Sequence, residues 1–371
     1  MRAKPIALYV HIPFCVRKCR YCDFASFSGV DAKKRSDYID ALCREIDYYK
    51  SLGLTVSTVF FGGGTPSLLS PEEFRKITSH IRSAFNILPD LEFTLEANPG
   101  TLTEERLSAY IAEGVNRLSI GLQSIHKKEL KKLGRIHNYE DFLNSFILAR
   151  RLGIKNINVD LMYGIPEQTA DTFSETLHTV TDLNPEHISA YGLIIEEGTP
   201  FFSERETIPL PSEECECDMY YLAAEILKLS GYSHYEISNY AKSGYECRHN
   251  LTYWRAEEYI GVGLAAYSYF DGRRFGNTRD MTEYLSGERL TDDERLTPDD
   301  EAYEFAMLAL RLSSGFSLSE YRERFGADFL LGREALVDRL ASAGYLSVIE
   351  DRIFLTERGF YVSNSILREL L

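Results

Sequence analysis

The sequence predicts an α/β fold, a partial (β/α)6 barrel joined to a mainly helical, winged-helix-like carboxyl-terminal domain. Three observations predict it. Apolar, β-rich runs alternate with helical patterns over roughly the first half of the chain. The runs are close to continuously apolar, as in strands of a parallel sheet covered by helices. Polar and glycine-rich stretches recur just after the runs, at the end of the sheet where parallel α/β folds bind ligands. Six such units favour an open or partial barrel over a closed eightfold one; strand counting alone does not separate that from a doubly wound sheet.

The strands are expected at residues 6–12, 56–61, 91–95, 115–122, 154–161 and 187–195. Helices are expected between them at 36–52, 71–85, 103–113, 139–152 and 170–183. Ser70-Pro71-Glu72-Glu73 and Thr101-Leu102-Thr103-Glu104-Glu105 carry helix-start chemistry, and Gly53, Gly114 and Gly153 stand where helices stop. This first domain is expected to span 1–285, with a charged linker at 286–300 and a second domain at 301–371. The second domain reads as helices at 302–312, 317–325 and 333–343, short strands at 346–349 and 353–355, and a final helix opened by Thr356. Winged-helix modules often bind DNA, but Glu301, Glu304, Glu320, Glu323 and Asp328 suit no phosphate-facing surface, so a lid or partner-docking role is expected.

Composition narrows the class. Formal net charge is −15, which excludes a non-specific grip on nucleic acid. Seven cysteines in 371 residues make no disulfide scaffold, and the start Met1-Arg2-Ala3-Lys4-Pro5 has no apolar leader, so a reducing, cytoplasmic setting is expected. No stretch approaches the roughly 18 continuous apolar residues of a membrane span.

Cys15, Cys19 and Cys22 stand as C-x3-C-x2-C within the loop that follows the first strand. A four-iron cubane normally takes four thiolates, so three would leave one iron open to a further ligand. Arg17, Lys18 and Arg20 between them favour thiolate and offset a cluster's negative charge. A zinc knuckle lacking its fourth ligand, or free thiols, are the plainer alternatives. Polar residues then gather at successive strand ends: Gly62-Gly63-Gly64-Thr65, Glu96-Ala97-Asn98, Gln123 and Asp160. Taken singly, the glycines suit a tight turn and the carboxylates a cap or ion pair; together, beside the cysteine loop, they outline a ligand site.

On these motifs the chain resembles radical S-adenosylmethionine (SAM) proteins, and within them the oxygen-independent coproporphyrinogen oxidase-like group. That resemblance implies a [4Fe–4S] cluster on Cys15, Cys19 and Cys22 in a radical SAM barrel, with SAM on the open iron. It further implies cofactor contacts from Tyr9, Tyr21, Gly63, Gly64, Thr65, Glu96, Gln123, Arg135 and Asp160, and from Ile194 at the adenine side. An electron donor such as a flavodoxin or ferredoxin would follow from it.

Two functions fit the group, an oxidase of porphyrin biosynthesis and a haem chaperone that passes haem to an acceptor protein. The oxidases carry a further cysteine where Phe24 stands, and a longer arm before the first ligand. Cys247-Arg248-His249-Asn250-Leu251-Thr252-Tyr253-Trp254 instead resembles the H-N-x-x-Y-W signature of the haem chaperones. The expected function is therefore haem binding and transfer, with coproporphyrinogen III oxidase-like chemistry as the alternative. His249, Tyr253, Trp254 and Cys247 are the haem candidates. Read without the resemblance, His249 is a hydrogen-bonded loop residue and Trp254 a core anchor. Tyr267 stands where the group usually has histidine, so any role of that histidine must be met differently here.

Overall fold

Side chains of the first six strands divide by alternation into an apolar face and a polar one. The strands are β1 (Ile6–Ile12), β2 (Thr55–Gly63), β3 (Asn86–Ala97), β4 (Arg117–Gln123), β5 (Asn156–Tyr163) and β6 (His187–Gly192) in the computed structural model, which describes residues 4–371. The chain start read above for a leader lies, over Met1, Arg2 and Ala3, outside the described residues.

Leu8, Val10 and Ile12 of β1, Val59 and Phe61 of β2, Phe93 and Leu95 of β3, and their counterparts in β4 and β5 point outward into one apolar core. Helices Ala32–Tyr48, Pro71–Ala84, Glu104–Ala112, Tyr139–Arg151 and Ala170–Asp182 close that core with Leu42, Ile46, Phe74, Ile77, Leu107, Phe142 and Leu177. Burying each such side chain contributes about 1.5–3 kcal/mol. The helix starts follow the local chemistry. Ser70 and Glu73 form a reciprocal capping box, as do Asn138 and Asp141, while Asp31 caps the first helix four residues earlier than expected.

The sheet has twelve strands. β1 to β6 run parallel in chain order, and β9 (Tyr259–Val262) adds in parallel on the free side of β1. Antiparallel strands extend both sides: β8 (Asn239–Ala241) and β7 (Ser233–Glu236) beyond β6, and β10 (Tyr267–Phe270), β11 (Arg273–Asn277) and β12 (Leu290–Arg295) beyond β9. The ends do not meet, so the barrel is partial. The third strand starts at Asn86, earlier than expected, and the sixth ends at Gly192, short of residue 195. The stretch 286–300, read as a charged linker, contains β12, whose six residues are all exposed and pair antiparallel with β11.

The carboxyl-terminal part packs helices Pro298–Ala309, Leu318–Phe325 and Glu334–Ser342 on a three-stranded sheet of Phe316–Ser317, Arg352–Leu355 and Leu346–Ile349, the winged-helix-like arrangement expected. Phe305, Phe316, Tyr321, Phe329 and Ile353 give it a core of its own. It docks against helix Glu213–Leu229 and β7, with the Tyr220 hydroxyl 3.0 Å from the Glu357 carboxylate and the Ile237 N–H donating to Arg311 O at 3.0 Å. The lid role expected for it does not hold over the cysteine cavity, which no residue beyond Tyr191 lines. Its apolar core packs instead on Tyr220 of that helix and on Tyr163.

Candidate cluster and cofactor site

The cysteine loop is tied down at several points. Phe14–Cys15 pairs in parallel with Phe27–Ser28, clasping its two ends. Arg20 N donates to Leu133 O at 3.0 Å, Phe201 N donates to Arg20 O at 3.2 Å, and Lys18 Nζ reaches Phe24 O at 3.0 Å. Tyr21 packs on a small apolar cluster of Leu133, Met162, Ile165 and Phe201. All three thiols are free and half-buried, and they line one cavity of about 370 Å³.

Opposite the thiols the cavity is built from strand ends. Gly63, Gly64 and Thr65 leave β2, Glu96 and Asn98 end β3, and Gln123 and Asp160 come from β4 and β5. Gly63 has φ +105°, and a Cβ there would overlap the His11 ring; at Gly64 it would lie 2.8 Å from the carbonyl oxygens of Ile12 and Phe14. Only glycine lets the β2 end lie this close to β1. Gln123 holds φ 70° at a register shift between β4 and β5, a left-handed conformation of the kind that gathers at ligand sites. Arg135 donates to Asn98 Oδ1 at 2.8 Å and lies 3.5 Å from the Cys19 sulfur; the Thr65 hydroxyl lies 3.6 Å from that of Cys15. Glu96 accepts from Gly63 N at 3.1 Å, and burial together with the nearby Asp160 pushes its carboxyl up to about 8.

The donor set suits the implied cluster. Three thiols meet hydrogen-bond donors in one cavity, and Ser26 Oγ on its wall is buried without a partner. Among the described residues no three cysteine, histidine or carboxylate side chains converge on a single-ion site. A cubane takes each thiolate on a different iron, so this arrangement does not speak against one.

Beneath the cavity the polar faces of the strands interlock. Asn158 Nδ2 donates to Asp160 and to Ser119 Oγ, both at 2.7 Å, which fixes its Oδ1 as the acceptor for His187 Nδ1 at 2.6 Å. Burial holds His187 well below the ordinary imidazole range, so the ring is neutral and its Nε2 accepts from the Tyr235 hydroxyl at 2.8 Å. That hydroxyl in turn accepts from Cys247 N at 3.2 Å. One chain of hydrogen bonds thus links Asp160 to the helix Arg248–Trp254. Glu92 secures the same helix by accepting from Arg248 N and His249 N at 3.0 Å each, a carboxylate at a helix amino terminus. Arg117 lies 2 % exposed beneath these groups, close to Glu92 and Asp160.

The sequence-predicted residues separate into groups. Cys15, Cys19, Cys22, Tyr21, Gly63, Gly64, Thr65, Glu96, Gln123, Arg135 and Asp160 share the one cavity. Tyr9 lines the two neighbouring ones. Ile194 does not join them: it lies past the end of β6, 67 % exposed, and Tyr191 lines the cavity in its place. The haem candidates are not presented as surface ligands. His249 is 1 % exposed, with Nδ1 2.8 Å from Thr58 Oγ1 and Nε2 2.9 Å from the Tyr253 hydroxyl, and burial holds its ring down at about 3. Cys247 is fully buried, its thiol pushed up to about 12 by burial, and Trp254 lies beside Arg311 with its indole N–H unpartnered. Tyr253 faces two cavities, and His249 shares the lining of one of them.

Sequence reading missed Glu92, Arg117, Ser119, Asn158, His187, Ser189 and Tyr191. The signal was present as period-two polarity: Glu92, Thr94, Glu96; Arg117, Ser119; Asn158, Asp160; His187, Ser189, Tyr191. The apolar partner positions masked it.

With this geometry in view, comparison with known proteins gives a consistent result. The Radical SAM superfamily description matches residues 9–180, and the HemN C-terminal domain description matches residues 296–362. The heme chaperone HemW of Escherichia coli (strain K12) is 37% identical over 378 residues, covering 100% of this chain and 99% of that protein. The heme chaperone HemW of Bacillus subtilis (strain 168) is 35% identical, covering 98% of each. The solved structure of coproporphyrinogen III oxidase (HemN) from Escherichia coli, a radical SAM enzyme, superposes with a TM-score of 0.86 at 26% identity over 99% of this chain and 90% of that one. Alike to these relatives over its whole length and built on the same barrel, the chain belongs to the HemW family of radical SAM proteins.

Proposed function

We propose that this chain is a haem carrier, binding haem and handing it to an acceptor protein. In this reading Cys15, Cys19 and Cys22 hold a [4Fe–4S] cluster and an exchangeable SAM completes it. Membership of the superfamily implies that cluster and that cofactor. The observation that carries the reading is the shared cavity: three free thiols on one wall, and Gly63, Gly64, Thr65, Gln123 and Arg135 on the other, in a chain of this family.

Each residue then has a task. Thr65 and Arg135 donate toward the cysteine sulfurs and steady their negative charge. Gly63, Gly64, Thr65 and Glu96 take the amine end of the cofactor, whose positive charge suits a carboxylate held by Gly63 N. Gln123, Arg135 and Asp160 take the rest, joined by Tyr191 where Ile194 was expected. Held by these residues, the cluster would supply one-electron chemistry toward the sulfonium of SAM. The cargo side falls to Tyr253, held by His249, next to the cysteine loop. An electron donor of the flavodoxin or ferredoxin kind and a cytoplasmic setting go with this reading; among the described residues no helix is long and apolar enough to cross a membrane.

The likeness to coproporphyrinogen III oxidase supports a second reading, an enzyme of porphyrin biosynthesis. Phe24, exposed where those oxidases carry a further cysteine, favours the carrier. Oxygen-free reconstitution tests the proposal. Iron and sulfide near four per chain, a spectrum that changes on adding SAM, and a haem titration that saturates are expected. Conversion of coproporphyrinogen to protoporphyrinogen would overturn the carrier reading, and loss of none of these properties on replacing Cys15, Cys19 and Cys22 by Ala would overturn the cluster assignment.

A further inference from the structure

A second opening adjoins the cysteine cavity. It is an open groove of about 300 Å³ between the stretch 23–25, just after the last cysteine, and the turn 265–267 that enters β10. Its walls are largely aromatic, with Phe24, Tyr253, Tyr259 and Tyr267, and Asp23 and Arg279 also line it.

Two of these rings are set in a way that a folded core does not require. Phe24 is 62 % exposed, and it lines this groove, the cysteine cavity and the polar chamber between them. Tyr267 is 47 % exposed and lies flat on the sheet. Its ring covers Gly276 of the paired strand, where a Cβ would come within 2.6 Å of it, and its hydroxyl donates to Asp292 on β12 at 2.8 Å. Pinned at one face and at its tip, the ring presents the other face to solvent. Phe24 and Tyr267 both line the one groove, and exposed rings gathered at a single opening suit a binding surface. Arg279 straps β11 to the cysteine loop, donating to Asp23 O at 2.8 Å with the Asp23 carboxylate 3.4 Å away, and its side chain is 63 % exposed. The groove thus combines aromatic faces with an arginine at its edge, whose charge is shared with the Asp23 carboxylate beside it.

We propose that this groove holds the haem macrocycle, with Phe24 and Tyr267 against its faces and Arg279 on a propionate. The proposal rests on the haem-carrier reading above. A planar, apolar ring system with carboxylates on one edge matches the chemistry on both counts. An open groove also leaves one side of the cargo in reach of an acceptor. The groove offers no free imidazole. His11 on its floor is 5 % exposed, with Nδ1 3.0 Å from the Tyr9 hydroxyl and Nε2 2.8 Å from Ala25 O. His249 acts on the groove as a positioning residue, through its hydrogen bond to Tyr253.

The test is an oxygen-free haem titration of the cluster-loaded protein, followed at the Soret band, beside the same titration with haem dimethyl ester. Tyr267→Ala should weaken haem binding roughly tenfold, the effect of losing one stacking partner. Tyr267→Phe, which keeps the ring, should bind within about twofold of the parent. Arg279→Gln should weaken haem binding and leave binding of the diester unchanged, a pattern that a merely structural role would not produce. Parent-like haem binding by both Tyr267→Ala and Arg279→Gln would overturn the groove while leaving the carrier reading intact. Equal weakening by Tyr267→Phe and Tyr267→Ala would overturn stacking on that ring. Failure of the parent protein to bind haem at all would instead overturn the carrier reading itself.

Discussion

Replacing Glu96 by glutamine separates stability from cofactor binding. The Glu96 carboxyl is half-buried on the cavity wall; desolvation and the nearby Asp160 raise its folded-state value from 4.5 to about 8, against the opposing hydrogen bond from Gly63 N at 3.1 Å. A carboxyl with a raised folded value is favoured in its protonated form by folding. The unfolded chain releases that proton above pH 4.5, so the group's contribution to stability is fully present below 4.5 and is lost as pH rises toward 8. At pH 7 the loss is about 2.5 pH units at 1.36 kcal/mol each, or about 3 kcal/mol. Glutamine carries no proton to lose and still accepts from Gly63 N. In the cofactor-free protein Glu96→Gln should therefore raise unfolding free energy by about 3 kcal/mol at pH 7 and by almost nothing at pH 4.5. Urea denaturation at pH 4.5, 6, 7 and 8 reads this directly, while SAM binding by the loaded protein should fall. A variant less stable than the parent at pH 7, or a difference that does not grow with pH, would refute the reasoning.

Further outcomes follow from the same geometry. Gly64→Ala puts a methyl 2.8 Å from the carbonyl oxygens of Ile12 and Phe14, so it should cost about 2 kcal/mol and lower the iron content after reconstitution. Parent-like unfolding and iron content would show that the β2 end gives way. Arg117→Met leaves Glu92 and Asp160 without their buried cation and should destabilise by about 3–5 kcal/mol in chemical denaturation. Cys247→Ala removes a buried, protonated thiol, so a loss of about 1 kcal/mol with unchanged haem titration is expected. A lost Soret response would instead make that sulfur a ligand. His249→Gln should loosen Tyr253 and weaken haem binding less than Tyr253→Ala does; the reverse order would make His249 the direct contact.

The cysteine spacing, the glycine run after β2 and the strand–helix alternation could be read from the chain alone because each is local. A three-residue ligand spacing, a turn that needs glycine and an apolar period are all written within about ten neighbouring residues. Even the polar interior left its trace, in every second residue of β3 to β6, but strands rich in apolar residues hid the alternation until the faces were known. Arg135, an unremarkable residue after a short helix in sequence, is carried to the Cys19 sulfur only by the path of the chain between β4 and β5.

Pairing between distant segments decided the rest. Ile194 left the site because β6 ends at Gly192, and a strand's last residue depends on which neighbour it can still bond. His249 turned inward because Thr58, 191 residues away, and Tyr253 take both its ring nitrogens. Tyr267 became an exposed plate because Gly276 lies under it and Asp292 holds its hydroxyl. Ligand type and turn chemistry are properties of short peptide stretches, and the sequence by itself determined them. Which face a side chain shows, and what it meets there, comes from contacts whose partners lie tens to hundreds of residues apart, and only the tertiary structure supplies those.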